Sequence, residues 1–414
     1  MRPYSGTRVL LGVTGGIASY KSAWLARLLS KAGAAVDVVM TRAATEFVGP
    51  ITFEALTGRP VHTGLFDSGR ALDHIKLARG ASGIVIAPAT ADFMARAATG
   101  QADDLLSAVL LAANCPVLFV PAMNDHMWAH PQTARNVAHL RELGYEVLEP
   151  AEGMLAAGEG SGPGRMPEPE FIFTHVGRLL ETTRSLAGRR VLVTAGPTRE
   201  AIDPVRFISN HSSGKMGVAI AAAAWRRGAD VDLVAGPLSI AAPAGVTVHS
   251  VESTGEMASA VERLLPQSDV LVMAAAPADF RPAEPAMLKI KKTDAPKPIA
   301  LAPTTDILAT TRSARRPGAV IVGFALETND AVPNGRGKLA RKDLDMIVVN
   351  DATEAGAGFG VDTNRVTLLF RDDREEVLPL MSKTEVADAL LDRVENLMTE
   401  LRPEMAADQA EGTR

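Results

Sequence analysis

The sequence predicts an α/β protein built as two doubly wound, parallel-sheet domains in tandem. Three observations predict it. Apolar runs of strand length alternate with helix-patterned segments through both halves of the chain. The pattern repeats in order: Arg8–Leu11 matches Arg190–Val193, Ala32–Val39 matches Arg227–Val234, and IVIAPATADF (Ile84–Phe93) matches LVMAAAPADF (Leu271–Phe280). Finally, 414 residues suffice for two domains, each with its own core.

In the first half, Arg8–Val13 reads as a strand, followed by Gly15-Gly16 and a helix from about Ser19 to Ala32. Val36–Met40, Ile84–Ala87, Val117–Val120 and Glu146–Leu148 continue the strands. Helical stretches are expected around Thr45–Thr57, Asp103–Ala113 and Thr133–Leu143. A helix over Pro169–Leu186 leads to a boundary near Gly188, giving domains at 1–187 and 188–402. In the second half, Val191–Val193 opens the sheet, and a helix starts near Ser213–Gly217 and runs to Arg227. Val320–Phe324, Met346–Val349 and Arg365–Phe370 are further strands. The last helix opens on the capping box Ser382-Lys-Thr-Glu385 and ends near Leu401, with 403–414 expected as a disordered tail. Both halves are Rossmann-like, so ligands are expected at the carboxyl ends of the strands.

Composition narrows the class. A net charge of −5 without a long Lys/Arg run argues against a nucleic-acid partner. One cysteine forms no internal disulfide and fits a reducing compartment. No Cys/His cluster has zinc spacing, so a metal ligand set is not identified. There is no signal peptide pattern and no apolar run of membrane-span length, so a cytoplasmic protein without a membrane partner is expected.

Two constellations carry chemistry. The turn Gly12-Val-Thr-Gly15-Gly16-Ile-Ala-Ser19 follows a strand and opens a helix, where backbone N–H groups and the helix dipole suit a phosphate. It is not GxGxxG, and Met40-Thr41-Arg42 stands where an acidic ribose ligand would end the second strand. That points to a phosphorylated cofactor smaller than NAD. The second constellation is the long polar stretch Val191–Gly217, set between a strand and a helix. Its Ser-Gly-Lys fails as a P-loop: Ser209 replaces the first glycine and Met216 the Mg²⁺-binding hydroxyl.

Pro121-Ala-Met-Asn124-Asp-His-Met127-Trp128, with His74 in Leu72-Asp-His-Ile, resembles the flavin-dependent cysteine decarboxylases and their PxMNxxMW motif. The resemblance extends to IAPATAD at 86–92, to 102–106 and to Gly162–Met166. It implies a flavodoxin-like domain binding FMN through Gly15, Gly16, Ile17, Ser19, Thr41, Ala87 and Thr90. It also implies His74 and Asn124 as catalytic residues, with Met123, Met127, Trp128 and Arg165 against the substrate. Oxidation of the thiol to a thioaldehyde would give the departing carboxylate's electrons a C=S bond to enter. Where family members carry a flap cysteine as proton donor, this chain has Ala157, leaving Glu159, Ser161 or water as candidates.

Thr194–Glu200, Asp203-Pro-Val-Arg206 and Ile208–Gly217 resemble the phosphopantothenate–cysteine ligases. The resemblance implies activation of 4'-phosphopantothenate by CTP with Mg²⁺, then attack by cysteine on the acyl-cytidylate, with Asn210 serving that second step. CTP would meet Met273, Ala274, Ala275, Asp279, Lys289, Thr305, Asp306, Ile307, Leu308, Phe324, Lys338 and Lys342. Decarboxylase then ligase, over about residues 6–400, resembles the bifunctional enzymes of coenzyme A biosynthesis. A homo-oligomer with trimeric decarboxylase and dimeric ligase contacts is implied. Two alternatives stay open: a ligase whose decarboxylase domain is impaired or modified at Ala157, and a nicotinamide-dependent oxidoreductase.

Overall fold

A strand with a continuous apolar run has two faces to bury, and β1 (Arg8–Val13) shows how. Val9, Leu11 and Val13 pack into a core on one side of the sheet and Leu10 into a second core on the other. The structure is a computed structural model that describes residues 2–65, 72–154, 158, 160–181, 183–292, 298–327, 329–351 and 360–411. Its internal contacts divide the chain into two units, Met1–Thr182 and Thr183–Arg414.

In the first unit β1 is followed by α1 (Ser19–Lys31), β2 (Ala35–Met40), α2 (Arg42–Thr45), α3 (Pro50–Thr57) and β3 (Val61–His62). The single helix expected over Thr45–Thr57 is two, because Gly49-Pro50 breaks it and Pro50 restarts it at a first-turn position. There follow α4 (Asp73–Gly80), β4 (Gly83–Ala89), α5 (Ala91–Ala98), α6 (Leu105–Ala112), β5 (Val117–Pro121), α7 (Asp125–Ala129), α8 (Pro131–Glu142) and β6 (Glu146–Val147). A hairpin of β7 (Ala151–Met154) and β8 (Ser161–Arg165) leads to α9 (Pro169–Leu180), which stops short of the expected Leu186. The sheet is parallel, in the order β3-β2-β1-β4-β5-β6. Without the two-residue β3, this is the flavodoxin-type order 2-1-3-4-5.

The second unit opens with β9 (Arg190–Ala195), a hairpin of β10 (Arg199–Ala201) and β11 (Phe207–Ser209), then α10 (Lys215–Arg226), β12 (Asp230–Ala235), β13 (Thr247–Ser250), α11 (Thr254–Leu264) and β14 (Val270–Met273). It continues through β15 (Phe280–Pro282), β16 (Leu301–Pro303), α12 (Ile307–Thr310), β17 (Val320–Glu327), α13 (Ala331–Arg341) and β18 (Met346–Asp351). It closes with β19 (Thr363–Asn364), β20 (Val366–Phe370), β21 (Glu375–Val377), β22 (Met381–Ser382) and α14 (Lys383–Glu411). Parallel strands run β13-β12-β9-β14-β17-β18, the Rossmann order 3-2-1-4-5-6, with β20 and β21 added antiparallel at one edge. Residues of α10 and α14 share a core on one face; residues of α11, α12 and α13 share the core on the other.

Ser382 and Glu385 form the capping box expected at the start of α14, each accepting the other's backbone N–H. That helix runs to Glu411, past the end expected near Leu401 and into the segment expected as a tail. The internal repeat aligns β1 with β9, β2 with β12 and β4 with β14, and then parts. Thr90 accepts the Phe93 N–H and starts α5, burying Phe93. At the matching position Pro277 has neither a side-chain acceptor nor an N–H, no helix forms, and Phe280 is exposed on β15.

Candidate functional site

Each unit carries a cleft at the carboxyl ends of its strands. The first encloses about 570 Å³ and takes Gly15, Gly16 and Ile17 from the β1–α1 turn, Thr90 from the end of β4, Met123, Asn124 and Met127 from the β5 exit, and Arg165 from β8. Only glycine fits at position 15, where a Cβ would lie 2.4 Å from that of Ala43. The β1 and β4 ends are locked together: the Thr14 hydroxyl donates to the Pro88 carbonyl at 2.8 Å and accepts the Thr90 N–H at 3.1 Å. Asn124 caps α7 through Oδ1, which accepts the His126 N–H at 2.9 Å, so Nδ2 is the polar atom left for a ligand. The Met123 N–H donates to the Gly164 carbonyl at 3.0 Å and draws β8 against the β5 exit.

Five expected residues do not line this cleft. Ser19 is buried and closes the turn, its hydroxyl donating to the carbonyls of Gly16 (2.7 Å) and Thr14 (3.1 Å). Thr41 accepts the Ala44 N–H at 3.3 Å and caps α2. Ala87 is buried within β4, and Trp128 is packed against the core on the Leu10 face of the sheet. His74 stands on α4, with Nδ1 buried and bonded to none of the described residues. The flap positions 155–157 and 159, which include Ala157 and Glu159, lie outside the described residues. Burial pushes the Cys115 thiol upward, as suits a packed side chain rather than a thiolate. Lys21 and Tyr20 of α1 also line the cleft and carry no motif; Lys21 is buried, with Nζ on the Met166 carbonyl (2.8 Å) and Glu168 (2.9 Å).

The second cleft, about 470 Å³, lies at the carboxyl ends of the neighbouring strands β9 and β14, where the chain leaves for opposite faces of the sheet. Met273, Ala274, Ala275 and Asp279 enter it from the β14 exit, and Thr305, Asp306, Ile307 and Leu308 from the start of α12. Phe324 comes from β17, Lys338 from α13 and Lys342 from the cap at its end. Asn210 lies among them, its Nδ2 donating to the carbonyls of Ala276 (3.1 Å) and Pro277 (3.0 Å). The exits of β9 and β14 are tied here, with Ala275 N–H on the Thr194 hydroxyl (3.1 Å) and Ala276 N–H on the Gly196 carbonyl (2.9 Å). Gly217 lets α10 press onto β9, since a Cβ there would lie 2.7 Å from the Thr194 carbonyl oxygen.

Lys289 is the expected residue this cleft does not include; it is exposed, on a segment fastened at Ile290. Residues the sequence did not single out as ligands also line the cleft: Ser212, Ser213, Lys215, Asn350, Asn364 and Lys383. The first three sit inside the polar stretch that was already conspicuous. Lys383 had no signal of its own, because its capping box reads simply as a helix start. Among the described residues no group of three or more His, Cys, Asp and Glu could hold a metal, and no helix is long and apolar enough to cross a membrane.

Residues 1–181 match the family model described as Flavoprotein, and residues 186–398 that of the DNA/pantothenate metabolism flavoprotein C-terminal domain. The coenzyme A biosynthesis bifunctional protein CoaBC of Mycobacterium tuberculosis is 50% identical over 402 residues, covering 94% of this chain and 96% of that protein. The CoaBC protein of Vibrio cholerae is 44% identical over 402 residues, covering 96% and 100%. The crystal structure of the C-terminal domain of a CoaBC protein is 39% identical, covering 52% of this chain and 99% of that one, with a TM-score of 0.45.

Proposed function

This chain belongs to the family of bifunctional coenzyme A biosynthesis proteins, CoaBC, and we infer from that premise how its two clefts divide the work. It is a phosphopantothenate–cysteine ligase and a phosphopantothenoylcysteine decarboxylase on one chain.

The second unit is the ligase. In our reading the carboxylate of 4'-phosphopantothenate attacks the α-phosphate of CTP, pyrophosphate leaves, and the cysteine amine then displaces CMP from the acyl-cytidylate. The observation that carries this reading is the orientation of Asn210. Its Nδ2 is engaged by two carbonyls, so Oδ1 is the atom turned to the ligand, an acceptor suited to an amine N–H and unsuited to an acyl carbonyl. Mg²⁺ would come with the nucleotide, held by its phosphates and water.

The first unit is the decarboxylase, and its cleft fits FMN. A glycine turn with no room for a side chain at Gly15 meets the start of α1, where a phosphate is favoured, and Ile17, Met123 and Met127 offer apolar contacts to a flat ring. Bound FMN supplies a two-electron acceptor for the substrate's thiol-bearing carbon. Asn124 Nδ2 donates to the substrate carboxylate and holds it in line for loss as CO₂. His74 takes the thiol proton. Asn124 lines its own chain's cleft and His74 does not, which supports a site completed by a second subunit, in keeping with the trimer the sequence resemblance implies. Ile17, Tyr20 and Met127, exposed around the cleft, suit such a contact.

Anaerobic turnover with CTP, 4'-phosphopantothenate and cysteine tests the whole reading. One pyrophosphate and one CO₂ should appear per 4'-phosphopantetheine formed. Pyrophosphate without CO₂ would confine the chain to ligation and point to the flap at Ala157.

A further inference from the structure

The ligase cleft is lined by four lysines, two from each side of the sheet. Lys338 lies on α13 and Lys342 caps its end, and each is bonded to a carboxylate: Lys338 Nζ to Glu327 at 2.6 Å, Lys342 Nζ to Asp306 at 3.1 Å. With Asp279 also on that wall, its side chains present no excess of positive charge. The other pair stands at the first residues of α10 and α14, which pack together on the opposite face. Lys215 Nζ donates to the Gly360 carbonyl (3.1 Å) and to Asp362 (2.7 Å); Lys383 Nζ donates to the Val361 carbonyl (2.6 Å). Two ammonium groups therefore converge on three consecutive residues, beside the first turn of α10.

We propose that Lys215 and Lys383 hold the β- and γ-phosphates of the nucleotide and remain on them as pyrophosphate leaves. The proposal rests on the ligase reading of this cleft. In that step a bond forms between a substrate carboxylate oxygen and the α-phosphorus, and the bond to the α–β bridging oxygen breaks. The bridging oxygen keeps the electron pair, so negative charge grows on the pyrophosphate. A cation there stabilises the transition state more than bound CTP, which makes Lys383 a catalytic residue rather than a clamp alone.

The surroundings fit this use. Lys383 is only 7% exposed, and its pKa is lowered first by burial and then by the nearby charge of Lys215. A polyanion between the two ammonium groups relieves that repulsion and replaces lost hydration. Asp362, whose side chain is 87% exposed, can release Lys215 to the incoming phosphates at little cost. The hydroxyls of Ser212 and Ser213, in the same wall, and the positive end of α10 add donors on that side.

Lys383→Met in the full-length flavoprotein tests this, with CTP, CMP and pyrophosphate as probes. CTP affinity and inhibition by pyrophosphate should each fall about tenfold or more, the scale of a lost charge-assisted bond. CMP affinity should stay unchanged, as should the attack of cysteine on acyl-cytidylate supplied ready-made. Lys383→Arg should keep the pyrophosphate inhibition. Should the Met variant not fold, as the absence of a cooperative thermal transition would reveal, Lys215→Met decides by the same measurements. Equal weakening of CTP and CMP, no change in either, or a raised KM for 4'-phosphopantothenate alone would overturn the assignment. A parent protein that neither binds CTP nor releases pyrophosphate would instead overturn the ligase reading itself.

Discussion

The carboxylate of Asp203 accepts the backbone N–H of Ile290 at 3.1 Å, pinning the basic segment 289–292 to the β10–β11 hairpin. Arg206 completes the latch: it pairs with Asp203 and donates from Nη2 to the Ile290 carbonyl at 3.0 Å. The Ala286 N–H adds a third tie, to the Ile202 carbonyl at 2.9 Å. Lys289 is therefore presented from a fixed backbone although its side chain is exposed.

Asp203→Asn should release that segment. Trypsin should cut sooner at Lys289–Lys292, and KM for CTP should rise several-fold, about the effect of losing one held cation. The hydrogen bonds of Arg206 and of backbone N–H groups keep the Asp203 carboxyl well below the usual carboxylate range. A depressed folded pKa stabilises the fold above the unfolded value of about 4 and loses that contribution as pH falls through the folded one. The Tm difference between parent and variant should therefore hold steady from neutral pH to about pH 4 and narrow only in stronger acid. Unchanged proteolysis and unchanged KM would leave Asp203 a local turn residue.

Asn210→Ala should separate the two ligase half-reactions. Without Oδ1 the incoming amine loses its acceptor, and amide formation should slow by about 10²-fold or more. Pyrophosphate should still appear in the first turnover and acyl-cytidylate accumulate, as rapid quenching would detect. Asn210→Asp should be worse for both halves, because carboxylate oxygens would face the Ala276 and Pro277 carbonyls where Nδ2 now donates. If Asn210→Ala turned over like the parent, Asn210 would be no more than a brace for the β14 exit.

Much of this is legible in the amino-acid sequence, and the residues show why. Val191, Leu192 and Val193 form a continuous apolar run, as a strand covered on both faces requires, and β9 is central in its sheet. Motif residues in the connections that leave strand ends, such as Asn124 after β5 and Asn210 between β9 and α10, line clefts because an α/β sheet offers its carboxyl edge to ligands. What stayed hidden was pairing across distance. Nothing near Lys383 in sequence announces that α14 will lay it beside Lys215, and nothing in Lys289-Ile-Lys-Lys says which way those side chains face. The match of Thr90 with Pro277 shows the opposite failure: similar strings folded differently because one residue could cap a helix and the other could not.

The placement of Lys383 depends on α14 lying firmly on α10, and a buried charge cluster fastens them. Asp388 is bonded to both Arg226 and Arg227, and Arg227 also reaches Glu395 at 2.8 Å. All three central side chains are nearly buried. Asp388→Ala would take the shared carboxylate from Arg226 and Arg227 while Arg227 keeps Asp392 and Glu395, at a cost of about 3 kcal/mol. Urea unfolding followed at Trp225, which lies on α10, should report that loss. Asp388→Asn, which keeps an acceptor of the same shape, should lose less. A change under about 1 kcal/mol for the alanine variant would mean that water or a rearranged Glu395 takes over.

The separation of His74 from the cleft that holds Asn124 gives the decarboxylase its sharpest test. His74→Asn and Asn124→Asp should each abolish CO₂ release in a pure preparation, while both should retain flavin, since neither belongs to the glycine turn. Suppose the active site joins His74 of one subunit to Asn124 of the next. Subunits of the two variants, unfolded together and reassembled at equal amounts, then form some contacts in which both partners are intact. Random assembly around a ring restores about a quarter of the sites. Recovered CO₂ release on that scale, with none from either variant treated alone, would establish the shared site. If mixing restored nothing while size measurements confirmed mixed oligomers, His74 and Asn124 would have to act within a single chain, and α4 would have to move to bring them together.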